Sequence, residues 1–275
     1  MLAGTEYLAA RDLRSFAEAN GWRYDAESAP PAMGESLWEQ VSSGIVRDRI
    51  SGDAWEAGLI TGGNRTASNV EQRGRITITK TVSVDTPQRS IDVGYLAVRL
   101  PRRLPHMVLD ARSNDTGPFS SLISRPQADQ HLSLEGDFDT HFRLYAPIGY
   151  ETDALYVFTP DLMALLIDET GDLDVEIRDD RLIVYKPGGF DLADTATWTR
   201  FDQIQQTLAA KTWDRVTLYT DDRVAPELRL EEASADGQRL RSRMPKSLWI
   251  FIAIPVSVLA IIATIGGIVL SQVLR

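Results

Sequence analysis

The sequence contains no cysteine among its 275 residues and only three histidines. The absence of cysteine excludes disulfides, thiolate catalysis and cysteine-based metal sites in this chain. The sequence also lacks glycine-rich phosphate loops, the H-E-x-x-H zinc motif and the G-x-S-x-G nucleophile elbow. The usual signatures of nucleotide binding, zinc-dependent hydrolysis and serine hydrolysis are therefore missing, and we expect no cofactor. An enzyme with a less familiar arrangement of residues stays open.

Positive charge is scarce outside the C-terminal part of the chain. Residues 239–275 contain five of the 29 basic side chains and none of the 39 acidic ones, so residues 1–238 carry a net charge of −15. A body with this charge is repelled by phosphate backbones, and we therefore expect no nucleic-acid partner. Apolar residues make up 43% of the chain and charged ones 25%, which is typical of a globular domain with a buried core.

One long uncharged run lies near the C-terminus. It covers residues 247–274, and its strongly apolar part is 248–270. A helix needs about 20 apolar residues to cross the hydrocarbon core of a bilayer. The sequence therefore predicts a transmembrane helix over 247–274, with Trp249 at one membrane interface.

The residues ahead of this run predict its orientation. The basic ones are Arg239, Arg241, Arg243 and Lys246. Basic flanks stay on the cytoplasmic side of a membrane, and the opening residues do not have the basic start and apolar run of a signal peptide. We therefore expect a single-pass, C-terminally anchored protein of a bacterial inner membrane, with its N-terminal domain in the cytoplasm.

Small residues recur at four-residue spacing within the apolar run, at Ala263, Gly267 and Ser271. Such spacing lets two membrane helices approach closely, which would support a homodimer. Ordinary membrane-helix composition, in which glycine and alanine are common, explains the same spacing.

The rest of the chain predicts an α+β fold with mostly antiparallel sheets and a few amphipathic helices. A helix is expected over 5–20, followed by short strands within 45–109 that Gly, Asn, Asp and Pro separate. The elements expected later are strands at 137–145, 154–158 and 216–219, a hairpin over 172–186 that turns at Asp179 and Asp180, and helices from Pro160 and over 194–210.

The predicted domain organisation has three parts. Residues 1–230 form the cytoplasmic α+β domain, with candidate sub-lobes 1–112 and 131–230. Residues 231–246 are polar and basic, and they are predicted to be a linker. The transmembrane helix over 247–274 follows.

Asp137, Asp139 and His141 are the candidate catalytic residues. In a strand over 137–145, Asp139 and His141 would project from one face, and His131 is a candidate neighbour. Carboxylate and imidazole groups at such spacing bind metals or assist hydrolysis. A solvated polar strand face explains the same alternation.

The predicted hairpin region is rich in acidic side chains, namely Asp168, Glu169, Asp172, Asp174, Glu176, Asp179 and Asp180. Paired carboxylates bind hard cations or act as acids and bases. However, Asp172, Asp174 and Glu176 alternate with Leu173, Val175 and Ile177, which favours the exposed face of an amphipathic strand. In the first half, Gly62-Gly63-Asn64-Arg65 predicts a hairpin turn, with an anion site as the alternative.

Part of the sequence resembles a known family. The similar blocks are 13–24, 136–147, 153–166 and 172–185. They resemble a family of bacterial, chiefly actinobacterial, single-pass membrane proteins of unknown function and, more distantly, the DUF3137 family. The shared motifs are structural, and residues 44–112 match loosely. The resemblance implies a bacterial membrane protein, and it transfers no catalytic residue and no substrate.

The sequence thus supports two functional hypotheses. In the first, the acidic cytoplasmic domain is a non-enzymatic module that binds another membrane or cytoplasmic protein, or a small ligand. In the second, the chain is a membrane-tethered hydrolase or metal-assisted enzyme that uses Asp137, Asp139 and His141. We favour the first because the familiar catalytic signatures are missing.

Overall fold

The computed structural model describes residues 12–29, 41–42, 45–62, 64–73, 76–84, 91–115, 122, 126–134, 137–227 and 233–241. These residues form an α+β fold with mostly antiparallel sheet, as the sequence predicts. The strands are β1 (Arg23–Ser28), β2 (Val41–Ser42), β3 (Ile45–Ser51), β4 (Trp55–Gly62), β5 (Asn64–Arg73), β6 (Ile76–Val84), β7 (Ile91–Ala111), β8 (His131–Leu132), β9 (Phe142–Tyr145) and β10 (Asp174–Pro187). The helices are α1 (Leu13–Ala19), α2 (Phe138–His141), α3 (Glu151–Val157), α4 (Pro160–Thr170), α5 (Thr195–Ile204) and α6 (Ala210–Val216).

Seven strands form the main sheet, and its pairings are antiparallel. β1, β3, β4, β7, β9 and β8 lie in this order, and β10 pairs with β7. β2, β5 and β6 form a separate three-stranded antiparallel sheet. The clearest strand expected in the first half of the chain is confirmed as β6.

β7 connects the two halves of the main sheet. Its 21 residues pair with β4 over 91–98 and with β9 over 108–111. β10 pairs with β7 on both sides of a register shift at Asp179. The hairpin turn expected at Asp179 and Asp180 is therefore wrong. The chain continues as one strand, and Asp179 takes the left-handed backbone conformation (φ 48°) in a bulge, a conformation that aspartate tolerates better than most residues.

Buried side chains lie on both faces of the sheet. On one face, Leu96 and Val184 join a core that contains Trp198 and other residues of the helices. On the other face, Tyr95 belongs to a second buried cluster. Each fully buried large apolar side chain contributes roughly 1.5–3 kcal/mol. Consecutive positions of the central strands are thus buried, which simple alternation does not predict.

Two expected strands are helical in the structure. Residues 138–141 form α2, and only 142–145 is a strand, because Phe138 and Phe142 stack at 5.3 Å in a buried cluster, as residues four apart do on one helical turn. The second is α3, whose buried residues Ala154 and Val157 are three apart, as a helix face requires.

The helices after β9 agree better with the sequence. α4 begins with Pro160, as expected, because proline fits the first helical position. α5 begins after Asp194, whose carboxylate accepts a hydrogen bond from Ala196 N–H (2.9 Å). It continues through a π-helical turn, Gln205–Ala209, into α6. The strand expected at 216–219 is therefore wrong, because these residues end a helix.

The predicted transmembrane helix lies outside the described residues, as do Arg243, Lys246, Trp249, Ala263, Gly267 and Ser271. None of the helices in the described part of the chain is long and apolar enough to cross a bilayer. The described residues all belong to one compact unit, Met1–Ser242.

Candidate functional site

Residues 233–241, which we call the docked segment, lie against the main sheet. The sequence predicts them as part of a linker, yet Ala233 is buried. Leu240 packs against Val108 of β7 in a small apolar cluster. The chain just ahead of the uncharged run is therefore folded onto the body.

The C-terminal end of the docked segment is held through its main chain. His106 N–H donates to the Gly237 carbonyl (2.8 Å), and Gln127 N–H donates to the Arg241 carbonyl (2.8 Å). The buried Gln130 side chain makes two more bonds to Arg241, since Nε2 donates to its carbonyl (2.7 Å) and Oε1 accepts from its N–H (2.7 Å). Because the main chain makes these bonds, they do not require a particular side chain at position 241.

A buried histidine lies beneath the same end. His106 Nδ1 accepts a hydrogen bond from Leu240 N–H (3.1 Å), and Nε2 lies 2.7 Å from Glu176 Oε1. An amide N–H only donates, so Nδ1 carries no proton and Nε2–H donates to Glu176. Tyr185 O–H donates to the other Glu176 oxygen (2.5 Å). The network therefore defines one neutral tautomer of His106.

The surroundings of His106 oppose its protonation. Burial lowers the pKa of His106, while the hydrogen bond and the charge of Glu176 act in the opposite direction. The charge of Arg178 lowers the pKa further. The result is a pKa below the ordinary histidine value, because the buried ring loses its hydration when charged.

A carboxylate holds the N-terminal end of the docked segment. Asp221 is fully buried, and its Oδ2 accepts from Ser234 N–H (2.9 Å) and from Tyr150 O–H (2.8 Å). Its Oδ1 accepts from Arg223 N–H (3.0 Å) and from Arg223 Nη1 (3.2 Å). Both oxygens of Asp221 are thus satisfied, as a buried carboxylate requires.

Arg223 extends this network toward α3. Its Nη2 donates to Asp153 Oδ2 (3.0 Å), and Tyr219 O–H donates to Asp153 Oδ1 (2.8 Å). The guanidinium carbon lies 3.9 Å from the centre of the Tyr150 ring, in a cation–π arrangement. The network therefore fixes the Tyr150 ring from one side while Asp221 holds its hydroxyl.

The hydrogen bonds decide the charge at this end. Burial alone would raise the pKa of Asp221, but the bonds from Ser234, Arg223 and Tyr150 outweigh it, so the pKa lies below its ordinary value. Burial, together with Asp221, raises the pKa of Tyr150 to about 12. At neutral pH the Asp221 carboxylate is therefore ionised, and hydrogen-bond donors surround it.

Gly237 fits closely against Tyr150. A Cβ atom at position 237 would lie 2.5 Å from the Tyr150 Cζ and 2.7 Å from its hydroxyl oxygen. These distances are far below van der Waals contact, so glycine is needed where the docked segment crosses this ring.

The candidate residues of the metal hypothesis do not lie on one strand face. Asp139 is in α2, where its Oδ1 accepts from Leu134 N–H (3.1 Å) and its Oδ2 accepts from Ser133 Oγ. Asp137 precedes this helix, and His141 is its last residue. Within the described ranges, no group of three or more His, Asp or Glu side chains could hold a metal ion. The enzymatic hypothesis stays a prediction.

The acidic stretch is only partly a solvent-exposed face. Asp174 and Glu176 are buried, so their predicted exposure is wrong. Asp174 accepts from Ala111 N–H (2.8 Å), while Glu176 belongs to the His106 network. Three of the remaining acidic residues contact polar side chains. Asp172 forms an ion pair with Arg200, and Glu169 accepts a hydrogen bond from Gln203. Asp180 forms ion pairs with Arg99 and Arg181. β10 is a strand of the main sheet whose two faces are both buried, and this explains the error.

Two further predictions concern the stretch between β4 and β5 and the basic residues ahead of the uncharged run. Gly62 ends β4 and Asn64 begins β5, but these strands belong to different sheets, so β4 and β5 do not pair as the expected hairpin. Of the basic flank, Arg241 pairs with Asp129 at the surface (3.1 Å) and Arg239 is exposed.

The residues that hold the docked segment were not expected from the sequence. His106 and Asp110 interrupt an otherwise apolar run in β7, which is the one sequence signal for buried polar groups there. Gln130 and Asp221 lie in polar stretches, where their type gives no such signal.

No family model matches the chain, and comparison with curated proteins gives no match. Among solved structures, the crystal structure of the mycobacterial trehalose monomycolate transport factor A, TtfA, is similar with a TM-score of 0.44 and 10% sequence identity. The similarity covers 76% of this chain and 94% of that chain. It assigns no function to this chain, and the resemblance to the actinobacterial family stays a prediction.

Proposed function

We propose that the chain is a single-pass membrane protein, anchored by a C-terminal helix over 247–274, whose acidic cytoplasmic domain is a non-enzymatic binding module for another protein. The observation that carries this proposal is the docking of 233–241 onto the body. Only residues 242–246 lie between the docked segment and the uncharged run. A membrane helix at that position would therefore hold the body close to the bilayer surface.

The buried polar groups support a binding role over a catalytic one. Both ring nitrogens of His106 are engaged, and both oxygens of Asp221 accept hydrogen bonds. A general base must reach a substrate proton, and these groups instead reach the main chain of the docked segment. Their chemistry is that of groups that hold a peptide.

Exposed apolar side chains around α3 and α6 support a protein partner. Leu155 of α3, Trp213 of α6 and Leu218 just after it are exposed by 52%, 43% and 80%. α3 and α6 are joined by Arg215, whose Nε donates to the Tyr156 carbonyl (2.7 Å). Exposed aromatic side chains such as Trp213 are enriched at the centres of protein-binding surfaces.

Cell fractionation tests the anchor. The full chain is expected in the membrane pellet after alkaline extraction, whereas a chain that ends at Ser242 is expected in the supernatant. Recovery of the full chain in the supernatant would refute the anchor.

Because the chain has no cysteine, single engineered thiols test its orientation. Ala196→Cys, at an exposed position of α5, should react with a membrane-impermeant maleimide only after the cells are permeabilised. Ser271→Cys should react in intact cells. The reverse pattern would place the body on the outer side.

Photo-crosslinking tests the binding role. A photoreactive residue at Leu218 in the full chain should give one discrete protein adduct, while the same residue at exposed Thr199 on α5 should give none. Identical adduct patterns, or none at either position, would count against a specific protein partner at α3 and α6.

A further inference from the structure

We propose that His106 is a proton-operated latch, in which protonation of its ring at Nδ1 releases the C-terminal half of the docked segment, 237–241. The latch is a property of the body and does not require the membrane. Its consequence for the distance between body and membrane rests on the proposed function.

The geometry at Nδ1 gives the latch its direction. In the docked state Nδ1 accepts from Leu240 N–H (3.1 Å). A protonated imidazole donates from both nitrogens and accepts at neither. Protonation of His106 would therefore place two donors face to face at this contact. The Leu240 amide cannot reverse its role, so the segment must move away.

The charged groups around His106 come from several elements. Those that act on the ring are Glu176, Arg178 and Asp179 on β10. The titratable or charged groups nearest in sequence to the ring and to its contacts are Tyr185 on β10, Arg103 and Asp110 on β7, Asp129 and His131 beside Gln130, and Arg239 and Arg241 beside Leu240. Glu176 and Asp179 favour a charged ring, whereas Arg178 disfavours it. The ring is almost completely buried, with 5% of the residue exposed, so a charge there loses its hydration. The negative charge of Glu176 offsets part of this desolvation cost. It does not replace the hydrogen bond from Leu240 N–H that protonation removes.

The sign of the pH dependence follows from this environment. The docked state lowers the pKa of His106. In the released state of this proposal the ring is exposed to water, where histidine has its ordinary pKa of about 6.5. Docking is therefore fully supported above about pH 6.5, and the ratio of docked to released segment falls by up to about tenfold for each pH unit below that value.

Release would lengthen the chain between body and membrane. With the segment docked, residues 242–246 reach at most about 17 Å. If the whole of 233–246 were free, the same connection would reach at most about 48 Å. Release of 237–241 alone gives an intermediate reach. Acidification would thus allow the module to move further from the bilayer.

Hydrogen exchange on the full chain in nanodiscs tests the latch. Exchange is measured at pH 7.5 and pH 5, with labelling times scaled for the intrinsic pH dependence. Amides of 238–241 are expected to lose protection by about tenfold or more at pH 5, while amides of β7 and β10 keep theirs. Equal protection of 238–241 at both pH values would overturn the proposal.

The matched variant is His106→Asn. The asparagine Oδ1 takes the position of Nδ1 and accepts from Leu240 N–H without titrating near neutral pH. The variant is expected to keep 238–241 protected at both pH values. An acid-induced loss equal to that of the wild type would show that another group is responsible, and would overturn the proposal.

Ring ¹⁵N spectra of the wild type keep the test decisive if this variant folds poorly. The chain has only two other histidines, so His131→Gln and His141→Gln assign the His106 signals. Nδ1 is expected without a proton at pH 7.5, and its protonation should coincide with the loss of protection. A ring that becomes charged while 238–241 stays protected would contradict the latch. If instead the chain does not enter nanodiscs, the anchor fails, and the same measurements in solution still decide the latch.

Discussion

The two ends of the docked segment are held by different chemistry. At the N-terminal end, an ionised carboxylate, Asp221, binds the main chain of Ser234 and is itself held by Arg223. At the C-terminal end, two uncharged side chains, Gln130 and His106, bind the main chain of Arg241 and Leu240. The charged end is insensitive to pH near neutrality, because the pKa of Asp221 is lowered, whereas the neutral end contains the titratable ring of His106. Under the proposed latch, the segment would open from its C-terminal end.

The largest effect is expected from Asp221→Ala. The substitution leaves the Tyr150 hydroxyl and Ser234 N–H without their acceptor, while Arg223, whose side chain is 40% exposed, keeps its bond to Asp153, so we expect a loss of about 2–4 kcal/mol. Urea denaturation of the full chain in detergent should show this loss in the free energy of unfolding. Asp236→Ala, at an exposed position of the docked segment, is the control and should change it by less than about 0.5 kcal/mol. Equal effects would contradict a special role for Asp221.

Gly237→Ala should have the next largest effect. Its Cβ would overlap the Tyr150 ring, which costs about 1–3 kcal/mol in docking. Hydrogen exchange across 233–241 should rise, while exposed Ala235→Ser should leave it unchanged. Unchanged protection in Gly237→Ala would show that the ring moves aside at little cost.

Gln130→Ala should weaken the C-terminal end alone. Two hydrogen bonds to Arg241 are lost, although Gln127 N–H still binds its carbonyl, so we expect a loss of about 1–2 kcal/mol. The surface pair with Asp129 gives the comparison, because both side chains are about half exposed, and Asp129→Ala should cost close to nothing. A larger effect of Asp129→Ala would mean that the charge of Arg241 holds this end.

The smallest effect is expected from mild acidification, which should change hydrogen exchange at one end of the docked segment and not at the other. The pKa of Asp221 lies below its ordinary value, so its contribution is present above about pH 4 and is lost only as the pH falls through that lower pKa. The contribution of His106 already falls below about pH 6.5. At pH 5.5, exchange should rise at 238–241 and not at 233–235. A parallel rise at both ends would break the distinction between them.

Several elements follow the local sequence, and several do not. Pro160 and Asp194 predict helix starts correctly, because their backbone preferences act within one turn. Alternation at 137–145 and 154–158 misleads, because the packing of Phe138 on Phe142 and the burial of Ala154 with Val157 select helical turns. Likewise, Asp174 and Glu176 alternate with apolar residues as surface positions do, but both faces of β10 are buried.

The sequence by itself determines the α+β class, the uncharged run over 247–274 and the acidic character of the body, because composition and local periodicity encode each of them. The pairing of Asp221 with Ser234, of Gln130 with Arg241 and of His106 with both Leu240 and Glu176 is decided only by the tertiary structure. These partners are far apart in the chain, from 13 residues for Asp221 and Ser234 to 134 for His106 and Leu240. Burial gives these contacts their strength, since the same groups in water would bind solvent equally well.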